Sequence, residues 1–224
     1  MKSSLLLLSC ALLYAFQSVS AEKNHDFARW EKEIAAYEAS DRTNPPPKAA
    51  LLFIGSSTVR LWKTLADDFP EHKVINRGFG GSQIVDSTHF ADRLIFPHAP
   101  RKIFLRAGGN DIHAGKTAAQ VFAEYKEFVA QVQSKLPASD IIFLGLAPTI
   151  SRWSEAEENR ALNRLVKEYV QGKKHLHYIE TYDSVLGADA KPREELFVAD
   201  KLHFNAEGYK ILTKHVRGWL AEHP

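Results

Sequence analysis

Short runs of almost unbroken apolar residues alternate along this chain with longer stretches in which apolar side chains return every three or four positions. The short runs lie at 49–54, 74–76, 102–107, 141–146 and 176–179. Their length and lack of polar alternation suit strands buried on both faces. The longer stretches, at 118–136, 154–170 and 205–220, read as amphipathic helices. A further helix is predicted at 25–39, with Phe27, Trp30, Ile34 and Tyr37 on one face. Asn44-Pro45-Pro46-Pro47 stops it, because proline has no amide hydrogen to donate. Strand followed by helix, repeated, predicts an α/β fold: a single three-layer α/β/α domain around a five-stranded parallel sheet. Ligands of such sheets sit beyond the carboxyl ends of the strands, so the chemistry is to be sought there.

The first 21 residues stand apart from this pattern. Lys2 provides a positive start, an apolar stretch runs over 5–16, and Val19-Ser20-Ala21 offers small residues before a cleavage point. That is the build of a secretory signal peptide. Gln17 and Ser18 interrupt the run short of the roughly 20 residues a membrane span needs. The expected organisation is a signal peptide at 1–21, an N-terminal helix and proline-rich break at 22–47, and the main domain at 48–224. A secreted or periplasmic location follows, with no stable membrane insertion once the signal is removed. Cys10 is the only cysteine and falls inside the signal. The mature chain then has no disulfide, no thiolate metal site and no cysteine nucleophile. Lys and Arg number 29 against 27 Asp and Glu, interspersed along the chain, which gives no basic footprint for nucleic acid.

Four places at or beyond the predicted strand ends carry chemistry. The first strand runs into Gly55-Ser56-Ser57-Thr58, where glycine permits a tight turn and the serines are either a presented nucleophile or a helix cap. The second ends in Asn76-Arg77-Gly78-Phe79-Gly80-Gly81-Ser82, whose glycines leave backbone amides open to a ligand or simply make a turn before a helix capped by Ser82. The sequence is neither a dinucleotide fingerprint nor a P-loop. The third ends in Gly108-Gly109-Asn110-Asp111; the Asn110 amide could serve an oxyanion, and asparagine after glycines is also a turn signal. Near the C-terminus stands Asp200-Lys201-Leu202-His203. That spacing lets a carboxylate hold one imidazole N–H and leave the other nitrogen basic, although the chain has ten histidines and any one can be a surface residue.

In combination and order, these motifs resemble the SGNH hydrolases, the GDSL-like lipase and esterase family. The likeness extends over nearly the whole mature chain, from Phe53-Ile54-Gly55-Ser56-Ser57-Thr58-Val59-Arg60-Leu61-Trp62 to Glu195-Leu196-Phe197 and the Asp-x-x-His block. It implies a flavodoxin-like parallel sheet and a serine ester hydrolase that needs neither metal nor organic cofactor. Carried onto this chain, it makes Ser57 the nucleophile and Asp200 and His203 its activating pair. The Ser57 N–H, the Gly81 N–H and the Asn110 side chain become the oxyanion donors. Ser56 stands where the family's name-giving motif has Asp, which places a second hydroxyl beside the nucleophile.

Two readings compete with this one. A metal-dependent phosphoesterase would draw on Gly109-Asn110-Asp111-Ile112-His113, but the chain lacks a His-Glu-x-x-His or an Asp-x-x-Asp cluster at the first strand. An exported, non-catalytic carbohydrate-binding or scaffolding domain would be favoured by loss of Ser57, Asp200 or His203, and all three are present. Short loops leave little room for a lid and favour small acyl groups: acetyl or short-chain esters of a glycan, or of a lysophospholipid-like lipid. Arg60, Arg77, Arg106 and Trp153 are candidates for substrate binding. Equally, the arginines pair with Asp86 or Asp111, and Trp153 belongs to the core.

Overall fold

The computed structural model describes residues 25–224, so the expected signal peptide lies outside the described residues. They divide into two compact units, 25–32 and 33–224. In the first, the Asp26 side chain accepts from the Ala28 N–H and starts a tight 3-10 turn, Phe27–Trp30. This cap is why the predicted helix at 25–39 begins late: the α-helix, α1, spans Glu31–Thr43. It also runs on past Ala39 to the last polar residues before Pro45.

The larger unit contains one sheet of five parallel strands: β1 Leu51–Gly55, β2 Val74–Gly78, β3 Lys102–Arg106, β4 Asp140–Leu144 and β5 Leu176–Ile179. Their order is β2-β1-β3-β4-β5, with β1 paired to both β2 and β3. The α/β class and the parallel sheet expected from the alternation are what the chain adopts. All five residues of β1 and of β3 are buried, which accounts for the apolar run of β1 and for Ile103-Phe104-Leu105 within β3.

Strand side chains alternate between faces, and each face has its own layer of helices. On one, Phe53 stacks on its register partner Phe104 at 4.5 Å and meets Trp62 edge-on at 5.6 Å. Leu212, Val216 and Leu220 of the C-terminal helix complete this cluster. On the other, Phe143 of β4 meets Tyr125 edge-on at 5.2 Å. Tyr125 belongs to the long helix Ala118–Lys135, which starts at a capping box formed by Thr117 and Gln120.

Short helices missed by periodicity fill the strand ends: α2 Ser57–Arg60, α3 Ile84–His89, α4 Ala91–Leu94 and α5 Gly109–His113. They are too short to show a 3.6-residue repeat. The long helices are α6 Ala118–Lys135, α7 Ala156–Val170 and α8 Ala206–Glu222. Ser82 does not cap α3. The cap residue is Gln83, whose N–H donates to Asp86 Oδ2 at 2.7 Å, while the Ser82 hydroxyl donates to the Phe79 carbonyl. Among the described residues no helix is long and apolar enough to cross a membrane.

Candidate active site

The β1–α2 junction presents two serines by means of one glycine. Gly55 has φ of 138°, and a Cβ there would lie 2.1 Å from the Arg106 carbonyl oxygen. Only glycine lets β1 turn this sharply against β3. The Ser56 N–H then donates to that same carbonyl at 3.1 Å, and Ser56 caps α2 by accepting from Val59 and Arg60 through its backbone oxygen. Ser57 is the first residue of α2, where an N–H has no partner within the helix.

The Asp200–His203 loop approaches from the far end of the chain. Phe197 and Phe204 pair across its base, and the Val198 N–H donates to the His203 carbonyl at 2.9 Å. Lys201 takes a left-handed conformation, φ 56°, which folds the loop back on itself. Asp200 Oδ1 can then accept from both the Leu202 and His203 N–H groups at 2.9 Å. Its Oδ2 lies 2.6 Å from His203 Nδ1. The His203 backbone N–H foremost, then the imidazole and the Leu202 N–H, pull the Asp200 carboxyl down to about 2. Asn205 closes the loop by capping α8, its side chain accepting from Glu207 and Gly208.

The two segments meet: His203 Nε2 stands 2.9 Å from Ser57 Oγ. With a carboxylate on Nδ1, the ring nitrogen facing Ser57 is the basic one, and a hydroxyl in that position can lose its proton as it attacks. No such bond to His203 is made by the Ser56 hydroxyl.

Asn110 lines the same cleft from the first turn of α5. Its Nδ2 donates to the Ser82 carbonyl at 3.0 Å, which ties it to the loop holding Gly81. Gly81 has φ of 76°, and among the described residues its N–H donates to no protein acceptor. Behind Asn110, buried Asp111 accepts from the Ile84 N–H at 3.1 Å and so joins α5 to α3. Lys116 Nζ lies 3.6 Å from Asp111 and 2.6 Å from Glu124. Burial raises the Glu124 carboxyl to about 8 against the pull of Lys116.

The remaining sequence candidates take separate places. Arg77 is buried and bonded to Asp41 of α1 at 2.6 Å, not to Asp86 or Asp111. The pairing was hidden because it joins residues 36 apart across elements that only the fold brings together. Arg60 lies 3.7 Å from Glu33 and crowds Gly80. Arg106 lies in the cleft floor, donating to the carbonyls of Leu144 and Gly145 and to the Thr181 hydroxyl. Burial lowers it to about 10. Trp153 is 41% exposed, so it is not core, and it does not line the cleft. The cleft residue that sequence reasoning passed over is Arg152, whose Nη1 donates to Asn110 Oδ1 at 3.0 Å. Among the described residues, no group of three or more His, Cys, Asp or Glu is placed to hold a metal ion.

The family model described as GDSL-like Lipase/Acylhydrolase matches residues 53–211. Platelet-activating factor acetylhydrolase IB subunit alpha1 of Bos taurus is 28% identical over 204 residues, covering 86% of this chain and 82% of its own. A protein from Streptococcus pneumonia superposes with a TM-score of 0.77 at 22% identity, over 91% of this chain and 98% of that one. A GDSL-like lipase from Bacteroides thetaiotaomicron gives 0.67 at 16% identity, over 89% and 98%. The two structures share the fold.

Proposed function

Because this chain belongs to the GDSL-like lipase/acylhydrolase family, we propose that it is a serine carboxylic-ester hydrolase acting through an acyl-enzyme. The observation that carries this reading is the contact of Ser57 Oγ with His203 Nε2 at 2.9 Å, with Asp200 on the far side of the ring at 2.6 Å. Ser57 attacks the ester carbonyl as His203 accepts its proton. The ring then delivers that proton to the leaving alcohol. Asp200 holds the tautomer and stabilises the transient imidazolium. In the second half, His203 draws a proton from water, which attacks the acyl-serine; as the acyl–oxygen bond breaks, the ring returns that proton to Ser57 Oγ and the acid leaves.

Negative charge builds on the carbonyl oxygen in both halves. The donors we assign to it are the N–H groups of Ser57 and Gly81 and the Asn110 amide, each worth about 3 kcal/mol in the transition state by comparison with similar sites. The cleft has a volume of about 70 Å³, room for a small acyl group. Acetylhydrolase relatives support the same choice. The substrates we propose are acetyl or short-chain esters, the alcohol being a glycan or a lysophospholipid-like lipid. We further propose that the leader at 1–21 is removed and that the enzyme works outside the cytoplasm.

An ester panel varying acyl length and alcohol tests this directly. Acetate to butyrate esters should be cleaved, with rates falling for longer chains. Activity should survive prolonged dialysis against EDTA. Loss of activity that zinc or manganese restores would favour a metallo-esterase, and inactivity on every ester would favour a non-catalytic binding domain.

A further inference from the structure

Arg152 enters the cleft from the segment following β4, just before the 3-10 turn Trp153–Glu155. Besides its bond to Asn110 Oδ1 at 3.0 Å, its Nη1 lies 3.4 Å from the Gly109 carbonyl oxygen. The other end of the same Asn110 amide donates to the Ser82 carbonyl at 3.0 Å. Resting on the serine-hydrolase reading above, we propose that Arg152 is a positioning residue. It locks the Asn110 amide with its nitrogen toward the developing oxyanion and its oxygen held away.

The argument begins with the shape of the amide. Its oxygen and its NH2 group are nearly the same size, so packing alone does not choose between the two orientations. Chemistry does. The oxygen can only accept and the nitrogen can only donate, and an oxygen turned to an oxyanion would repel it where a donor should attract. In the observed orientation a cation faces the amide oxygen and a carbonyl faces the nitrogen, which keeps a second N–H for the cleft. Turning the amide over would set the guanidinium against an NH2 and the Ser82 carbonyl against an oxygen, losing both bonds at once. The bond from arginine is also charge-assisted, about twice as strong as a neutral one. It draws electron density toward the amide oxygen and makes the N–H a better donor.

The surroundings keep the guanidinium at this task. The side chain is partly buried, and desolvation lowers its pKa although Glu155 opposes the shift. Glu155 itself is bonded to His113 Nδ1 at 2.6 Å. Next to Arg152, the Ser151 N–H donates to the Lys201 carbonyl at 3.1 Å. The 150–152 segment is therefore bonded on one side to the loop that carries Asp200 and His203, and on the other to Asn110. The nucleophile's base and the oxyanion donor are held to a common strut.

The test is a double-mutant cycle on the full chain, read with a short-chain aryl acetate. Arg152→Ala should lower kcat on the order of 10- to 100-fold, as misplacing a reacting-site group does, and leave KM within about threefold. Asn110→Ala should lower kcat by about 10²-fold or more, and adding Arg152→Ala to it should cause little further loss. Millimolar guanidinium should restore part of the activity of Arg152→Ala and none to the double variant. Arg152→Lys, which keeps one cationic donor, should fall between wild type and Arg152→Ala. Thermal unfolding of each variant checks that the fold is intact. Full additivity of the two substitutions, or a loss confined to KM, would overturn the proposal and make Arg152 a direct substrate contact. If Ser57→Ala is inactive while Arg152→Ala keeps its kcat, the positioning role fails and ester hydrolysis stands; a wild type inactive on every ester defeats both.

Discussion

His203 Nε2 lies 2.9 Å from Ser57 Oγ although 146 positions separate the two residues in the chain. Everything proposed for the chemistry depends on that approach, and it distinguishes the two adjacent serines. Ser57→Ala is expected to remove on the order of 10³-fold or more of kcat/KM on a short-chain aryl ester. Ser56→Ala should keep most activity, because Ser56 uses its backbone and not its hydroxyl to start α2. Mass spectrometry after fluorophosphonate labelling should find the adduct on Ser57. An adduct on Ser56 would reassign the nucleophile.

Asp200 stays ionised far below neutrality, with its carboxyl held to about 2 by two backbone N–H groups and the imidazole. A depressed carboxyl favours the folded state above the unfolded pKa near 3.8 and loses that contribution as pH falls through about 2. An acidic limb in kcat/KM above pH 4 is then not the titration of Asp200. Asp200→Asn should lower the plateau by about 10²-fold or more and leave such a limb in place. A pH–rate profile of the variant checks this; disappearance of the limb would assign it to Asp200.

Glu124 presents the opposite sign. Burial lifts its carboxyl to about 8 beside Lys116, so the folded protein keeps a proton that the unfolded chain releases above about 4.5. Stability from this group is complete below the unfolded value and is lost as pH rises through the folded one. Thermal midpoints of the wild type should therefore decline between pH 5 and pH 8 more steeply than those of Glu124→Gln, whose amide cannot ionise. Parallel curves for the two proteins would contradict the assignment.

Gly55→Ala should be among the most damaging single-methyl additions in the chain. The new Cβ would meet backbone, the Arg106 carbonyl at 2.1 Å, in a conformation of φ 138° that side chains avoid. A loss of about 3 kcal/mol or more is expected, corresponding to a drop in Tm on the order of 6–12 °C for a chain of this size. Differential scanning calorimetry measures it directly. Wild-type stability would mean that β1 leaves the sheet by another route.

The sheet was legible because its strands are buried on both faces, and burial writes itself into sequence as unbroken apolar runs such as 49–54. Ser57, Asn110, Asp200 and His203 were picked out differently: each motif alone reads equally as a turn or cap, and only their combination and order carry the family resemblance that assigned their roles. Side-chain contacts between elements distant in the chain leave no such trace. Arg152 reaches Asn110 across 42 positions, and Arg77 reaches Asp41 across 36, with no periodicity to announce either. The four short helices stayed hidden because a turn or two of helix shows no repeat. The 3-10 turn Phe27–Trp30 was read as α-helix because its apolar spacing fits both.

The last helix has a consequence in time as well as in space. Tyr209 donates its hydroxyl to the Thr58 carbonyl at 2.9 Å, and Thr213 and Arg217 bond to Asp68, so α8 clasps the region that bears Ser57. Leu212, Val216 and Leu220 bury their side chains in the same cluster as Val59 and Trp62. A growing polypeptide that has already made Ser57, Asn110 and even His203 still lacks these bonds to the segment on which Ser57 sits. On the proposed mechanism, the site is expected to assemble only once α8, Ala206–Glu222, has been made and docked. On that mechanism too, a chain cut before α8 is expected to keep every proposed reactive group and to show no ester cleavage.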